Sequence, residues 1–399
     1  MVTIIFLVCF GVLTYIYIGY PVLIWLLATF CSRTIHKGSV SPQRQCSVVI
    51  AAYHEGPVLL SKVESILNSS GLSSVREIVI GFDGPQDEND VSPEKIEAIS
   101  RFRSTQLMRE GSPCQVPEVR VFVFPERRGK AQVLNDLVPL TRGEILIMMD
   151  ARQMIHAAAI GELLANFADE IVGVVSGELV FRNLNEESDV GVVQEGVGFY
   201  WRYEKFIRRC EGRYRSVPGA TGALYGIRRR LFQPIPGGTL LDDVAIPMQA
   251  VMQGCRCIFE PAAEVFDVPS LTSGQESLRK RRTIAGVVQL MRLYPRWLLP
   301  WRNPIWFEFV SHKVLRLVSP ILLVGLFLSN LWLLDHLVFE LFFVFQSLFY
   351  LAALAGLVAQ KKGWSAQCLG VPLMFVALNL TTALAIFDAA RNRFNASWK

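Results

Sequence analysis

The stretch EILIMMDARQMI, residues 144–155, decides how the middle of this 399-residue chain is read. Five apolar residues run into Asp150, and Ala151 and Arg152 follow. A short unbroken apolar run closed by an acid is the pattern of a strand buried on both faces that stops at a polar rim. Three similar runs precede it: CSVVIAA (46–52), REIVIGF (76–82) and VRVFVF (119–124). β-branched residues dominate these three, and residues 56–69 and 129–138 between them suit helices. The rhythm predicts an α/β fold with a mostly parallel sheet and helices on both faces. A fifth strand is expected at IVGVVSGELV (171–180), and the polar stretch 84–95 reads as a surface loop. No GxGxxG or GxxxxGK[ST] occurs, which excludes the dinucleotide fingerprint and the P-loop. There is no internal repeat.

In such sheets ligands lie beyond the carboxyl ends of the strands. The first strand ends at Tyr53, His54 and Glu55, the second at Asp83 and Gly84, and the fourth at Asp150. One acid at a strand end is ordinary, because Asp favours turns. Three on one rim can accept hydrogen bonds from a base or ribose, or hold a divalent cation against phosphates. Tyr53 offers a ring face for stacking. ERRGKAQVLN (126–135) sets Arg127, Arg128 and Lys130 around Gly129 just before an expected helix. Those cations and the helix's first N–H groups suit a phosphate, whereas the bland reading is a solvated basic turn.

The ends of the chain differ in character. Residues 4–30 carry no charge and suffice to cross a ~30 Å hydrocarbon layer as a helix. A signal peptide would begin with basic residues and hold a shorter apolar core. Residues 317–334, 341–360 and 364–387 also lack charge and read as three further spans. The competing reading, one large helical core in a soluble protein, sits poorly with four such runs. Arg33, His36 and Lys37 follow the first span, and Lys313 and Arg316 precede the second. The positive-inside rule therefore places the middle region in the cytoplasm. Lys361 and Lys362 agree, whereas Arg391, Arg393 and Lys399 would fall outside after four spans. Either one span is re-entrant or the tail breaks the rule.

The chain divides into a first span (1–32), an α/β domain (40–275), an interfacial helical segment (276–313), about three spans (314–390) and a basic tail (391–399). Apolar residues make up 51% of the chain, and the net charge is +5. Much of the basic excess lies near membrane edges, as RKRRT (279–283) does. That fits anionic lipid or a phosphate-bearing substrate better than nucleic acid. The eight cysteines show no zinc spacing and suit a reducing compartment.

Taken together, these motifs resemble the membrane-bound family-2 glycosyltransferases related to hyaluronan, chitin and cellulose synthases. The likeness covers roughly residues 46–300. VVIAAYHEG resembles the family's AxxNE opening, with His54 in place of asparagine and Glu55 kept. Asp83 resembles the acid that contacts the nucleobase, and RRGKAQVLN the glycine–lysine segment beside the donor. MMDAR matches the DxD element only at Asp150. PGATGALYGIRR (218–229) resembles the glycine-rich acceptor segment. LLDDVAIPMQAVMQG (240–254) resembles the ED-type segment, with Asp243 at the general-base position and Asp242 before it. RKRRT resembles (Q/R)xxRW at Arg279 and Arg282, with Thr283 where tryptophan is typical.

The resemblance implies a GT-A-like fold, a nucleotide-diphosphate sugar donor, Mg²⁺ or Mn²⁺, and inversion at the anomeric carbon. Asp243 and Asp242 would be catalytic, and Asp150 would hold the metal. Tyr53, Glu55, Asp83, Arg128, Lys130, Arg279 and Arg282 would bind the donor. The acceptor would be a polysaccharide or a lipid-linked molecule at the cytoplasmic face of a plasma or bacterial inner membrane. Assembly with other membrane biosynthesis proteins fits the same reading. Arg152 cannot serve as the second metal ligand, since guanidinium only donates. It meets a phosphate or sugar, or pairs with a neighbouring acid. The alternative from another class is an inactive membrane scaffold that keeps the fold; a transporter would need more polar residues inside the spans.

Overall fold

The apolar runs become eight strands: β1 (Cys46–Ala52), β2 (Val75–Phe82), β3 (Glu118–Val123), β4 (Ile145–Asp150), β5 (Met154–Ile155), β6 (Val172–Phe181), β7 (Leu224–Arg228) and β8 (Arg256–Asp267). They are seen in a computed structural model that describes residues 1–38, 45–86, 90–109, 117–181, 192–267, 273–362, 364 and 367–391. The rest of the basic tail beyond Arg391 lies outside the described residues. One sheet forms in the order β3-β2-β1-β4-β7-β6-β8-β5. β1 pairs in parallel with β2 and β4, β2 with β3, and β6 with β8. β7 runs against both of its neighbours, β4 and β6.

Alternation along β1 explains the two-sided core. Val48 and Ile50 join Leu59, Val63, Ile160 and Leu163 on one face. Val49 and Ala51 join Leu134, Leu137, Ala245 and Met248 on the other. Every β1 residue is buried, so the strand reads as a continuous apolar run rather than an alternating one. Each fully buried Val or Ile contributes roughly 1.5–3 kcal/mol, so a charge at Ile50 would break this centre. Register carries the strand ends to one level: Ala51 lies opposite Asp150, and Ala52 opposite Phe82.

The helices expected between strands form at Val58–Leu67 and Lys130–Leu137. The surface loop expected to reach residue 95 ends earlier, because a helix starts at Pro93 and runs to Arg109. Proline suits a helix's first turn, where its missing N–H costs nothing.

Among the described residues four helices are long and apolar enough to cross a membrane: Val2–Phe30, Trp306–Leu331, Leu337–Lys362 and Gly370–Ala390. The second starts well before the uncharged run at 317. Ser311, His312 and Lys313 lie inside it, on a wide π turn at Val310–Val314. A matching π turn, Tyr15–Gly19, interrupts the first span, and Tyr15 Oη meets Ser311 Oγ at 2.8 Å. Of the polar side chains that hid the start of this helix, Ser311 and His312 are bonded inside the protein. Between sheet and spans runs the helix Ser273–Leu293, followed by a turn in which Trp297 is buried against Tyr294 and Phe309.

Candidate active site

Asp83, just past β2, is buried and turned onto the basic loop. Arg128 N–H donates to its Oδ1 at 2.7 Å, and Gly129 N–H donates to Oδ2 at 2.9 Å. Gly129 has φ +88° with open space where a Cβ would be, so the glycine is needed for its left-handed backbone. This clasp fixes the entry of the helix Lys130–Leu137. Arg127 then stacks 3.8 Å from the Tyr53 ring centroid. Arg128 turns away, pairing with Asp136 and lying over Phe124.

Lys130 reaches from this helix into the centre of the rim. Its Nζ is 2.8 Å from Asp150 Oδ1 and 2.9 Å from Asp242 Oδ2. Burial works against its charge, but Asp150 and Asp242 together hold Lys130 protonated well above the usual lysine range. Asp242 and Asp243 occupy the first turn of the helix Asp242–Met252, where the helix dipole favours acids. Asp243 is pushed up to about 6, first by burial and then by Asp242 and Asp150, while Lys130 and Lys313 act the other way.

Pro247 explains how the glycine-rich segment is fastened here. It brings no N–H, so the Asp243 carbonyl one turn earlier lacks a helical donor. Ala220 N–H fills the gap at 2.7 Å. Two residues on, a Cβ at Gly222 would lie 3.4 Å from Asp150 Oδ2 and 3.5 Å from Asp243 Oδ2. One oxygen of each carboxylate therefore borders the same point beside Gly222.

Arg152 finds an acid rather than an open cleft. Its Nε is 3.4 Å from Glu55 Oε2. Burial raises the Glu55 carboxyl; Arg152 opposes that, while Asp150 and Asp90 add to it. His54, at φ +51°, places Nδ1 3.1 Å from Asp90 Oδ2. Below the rim, Lys62 is fully buried and donates to the Gln153 carbonyl at 2.6 Å. Burial pushes Lys62 down to about 7, partly offset by Asp150. Gln153 Nε2 donates to Asp267 Oδ2 at 3.1 Å, and Arg279 Nη2 lies 3.4 Å from the same oxygen. Arg279 thus ties the helix Ser273–Leu293 to the turn after Asp150. Arg282 has no hydrogen bond or ion pair among the described residues; its neighbour Arg281 pairs with Asp388 on the fourth span.

Of the residues singled out in the sequence, Asp150, Lys130, Asp242 and Asp243 meet in one cluster. Glu55 stands beside it with Arg152. Tyr53 and Asp83 border the basic loop, whereas Arg128 and Arg279 are engaged elsewhere. Sequence reasoning missed Lys62 and Gly222. A lysine among apolar residues in VLLSKVESIL was the one visible signal for Lys62.

Among the described residues no group of three or more His, Cys, Asp or Glu side chains could hold a metal ion. The site still fits a hard cation sparingly. Asp150 Oδ2 is turned to the space at Gly222 while Oδ1 takes Lys130. Mg²⁺ commonly binds through one or two carboxylates, substrate phosphates and waters.

The geometry can be set beside known proteins. The model of a family described as "Glycosyltransferase like family 2" matches residues 42–289, which hold every rim residue named above. Among solved structures the chain is similar to mannosyltransferase PcManGT from Pyrobaculum calidifontis in complex with GDP-Man and Mn²⁺. The identity is 18%, the TM-score is 0.67, and the match covers 98% of this chain and 100% of that one. It is also similar to GalNAc-T7 with UDP, GalNAc and Mn²⁺, at 19% identity and a TM-score of 0.41, over 67% of this chain and 54% of that one. The second likeness is too low to carry an argument, and the first shows the fold alone: a GT-A-like sheet between helices, with apolar helices near both termini. No protein of curated function matches the chain in sequence. On the family match, which takes in more than half of its length, the chain belongs to glycosyltransferase-like family 2.

Proposed function

We propose that this chain transfers a sugar, with inversion, from a nucleotide-diphosphate sugar to a lipid-linked or polysaccharide acceptor at the cytoplasmic membrane face, with Asp243 as general base. The observation that carries this reading is Asp243, raised to about 6, with one carboxylate oxygen beside Gly222 where Asp150 Oδ2 also lies. A base must be largely ionised near neutral pH yet still attract a proton, and a carboxylate near 6 does both. Inversion in one displacement needs this single base and no covalent nucleophile. Asp242, held by Lys130, keeps the base oriented.

The nucleotide end of the donor lies along Tyr53, Asp83 and the 127–129 loop, and the diphosphate comes to Lys130. When bound, Mg²⁺ or Mn²⁺ would be held by Asp150 and would neutralise the leaving diphosphate. Lys130 already supplies one fixed positive charge there. The basic flanks of the first two spans favour a cytoplasmic catalytic domain (40–275) in a plasma or bacterial inner membrane. Kinship with the polymer synthases, and assembly with other membrane biosynthesis proteins, belong to the same proposal.

The test is a panel of radiolabelled nucleotide sugars supplied to purified membranes. Asp243→Asn should cut transfer by about 10²–10⁴-fold with nucleotide binding retained. The native rate should climb as pH rises through about 6, because the base works deprotonated. Chelation should slow transfer. An unchanged Asp243→Asn rate would overturn the base assignment, and failure to bind any nucleotide would leave an inactive scaffold.

A further inference from the structure

Among the membrane helices lies a cavity of about 360 Å³. Its walls are mostly apolar and come from the first, second and fourth spans and from the helices Val192–Tyr214 and Ser273–Leu293; Tyr17, Phe375 and Leu378 are among them. One part of the wall is charged. Glu204 Oε2 accepts from Arg316 Nη1 at 2.8 Å, and Lys313 Nζ is 3.9 Å from Glu204 Oε1. Arg316 Nε and Nη2 are buried with no hydrogen-bond partner among the described residues. The wall therefore carries two cations against one carboxylate, and unmet donors besides.

Two elements join this cavity to the base. Thr283, Ile284 and Val287 line it from the helix Ser273–Leu293. On the same helix, Gln289 Oε1 accepts from Leu240 N–H at 2.9 Å, two residues before Asp242. From the helix Val192–Tyr214, Glu204 lines the cavity while Arg208 Nη2 donates to Ser176 Oγ at 2.9 Å. That Oγ also accepts Thr221 N–H at 3.0 Å, next to Gly222. The charge of Lys313, on the cavity wall, also acts on the Asp243 carboxylate.

We infer that this cavity is the acceptor site and that it takes a membrane lipid bearing a phosphate: the apolar walls hold its chain, and Lys313 and Arg316 meet its headgroup. The inference rests on the transferase reading above. The cavity's volume is in the range of small-molecule sites, and phosphate suits paired cations with donors to spare. In the reaction an oxygen of the lipid headgroup bonds to the anomeric carbon as that carbon's bond to the donor diphosphate breaks. The nucleoside diphosphate leaves with the electron pair, and any proton on the attacking oxygen passes to Asp243.

The test uses full-length protein in nanodiscs with labelled nucleotide sugar. Undecaprenyl phosphate, phosphatidylglycerol, dioleoylglycerol and a soluble oligosaccharide are supplied separately. Label should enter one of the two phosphate lipids, and which one identifies the source of the phosphate. Leu378→Trp, which fills the cavity, should lower the rate at limiting lipid by about tenfold or more. Arg316→Gln should raise the KM for the phosphate lipid by roughly tenfold, the scale of one charged hydrogen bond. Binding of nucleoside diphosphate reports on the rim separately: its absence in native protein would sink the transferase reading itself. With that binding intact, label appearing only in the oligosaccharide, equal use of dioleoylglycerol, or indifference to Leu378→Trp would each overturn the lipid site.

Discussion

Two clusters of buried charge in this chain share one plan, a basic side chain held between two acids, and differ in what surrounds them. At the sheet rim Lys130 stands between Asp150 and Asp242. Within the second span His312 stands between Glu204 and Glu211, with Nε2 and Nδ1 each 2.7 Å from a carboxylate oxygen. The Asp150 side chain is 36% exposed, so one arm of the first cluster opens to the cleft. His312 and Glu211 are fully enclosed, and Tyr20 of the first span donates to Glu211 as well. The second cluster therefore joins two spans to the helix Val192–Tyr214 from inside. The first cluster opens to the cleft at Asp150; the second borders only the cavity among the helices, at Glu204 and His312, and rivets those helices together.

If that contrast is right, breaking the two should fail differently. His312→Ala leaves two buried carboxylates facing each other without the ring between them. Removing one partner of a buried pair costs about 3–5 kcal/mol, so the melting temperature in detergent should fall sharply. Nucleotide binding by the fraction still folded should persist. Lys130→Met should show the reverse: a stability loss below about 3 kcal/mol, softened by the exposure of Asp150, but transfer down by about 100-fold. Lys130 also lowers Asp243, so its removal moves Asp243 higher and shifts the acid limb of the pH–rate profile to higher pH. Should Lys130→Met unfold the protein while His312→Ala does not, the roles assigned to the two clusters are exchanged.

Gly222→Ala sharpens the same contrast at the open end. The added methyl would sit at ordinary contact distance from Asp150 and Asp243, and Gly222 has no left-handed φ to defend. Stability should change by no more than about 0.5 kcal/mol. The methyl would touch an oxygen of both carboxylates, so kcat/KM should fall by about tenfold and metal dependence should weaken. A variant with native kcat/KM would show that the reacting groups do not use that space.

How much of this was readable in the sequence follows from burial and distance along the chain. β1, β2 and β4 announce themselves because both faces are covered, which forces unbroken apolar runs. β7 does not. It has five residues, includes Gly226, and sits between strands from different parts of the chain. The sequence hides the first turns of helix Trp306–Leu331 because their charges look like a helix end, whereas His312 among them is buried against Glu204 and Glu211. The acids at 83 and 150 were visible as strand ends. That Asp83 grips the backbone of its own basic loop was not, since no pattern of side chains encodes a partner that is a backbone N–H. Nor could spacing show Lys130 and Asp242 as partners more than a hundred residues apart.

The smallest expected effect belongs to the residue that made the rim look odd. Arg152 stands where a second metal-binding acid is typical, and its side chain is 56% exposed beside Glu55. Only the arginine half of the pair is exposed, since the Glu55 side chain is 8% exposed; screening on the arginine side keeps the pair near the ~1 kcal/mol of surface pairs, so Arg152→Ala should lower the melting temperature only slightly. Its charge does oppose the rise of the Glu55 carboxyl, so the variant should carry a still higher Glu55. Glu55 borders Asp150 rather than replacing it, and transfer should fall only a few-fold, with metal affinity nearly unchanged. A large loss of donor affinity would mean that Arg152 leaves Glu55 to hold the diphosphate when donor binds. In that case the cation at this position does by direct contact what a second acid would have done through a metal.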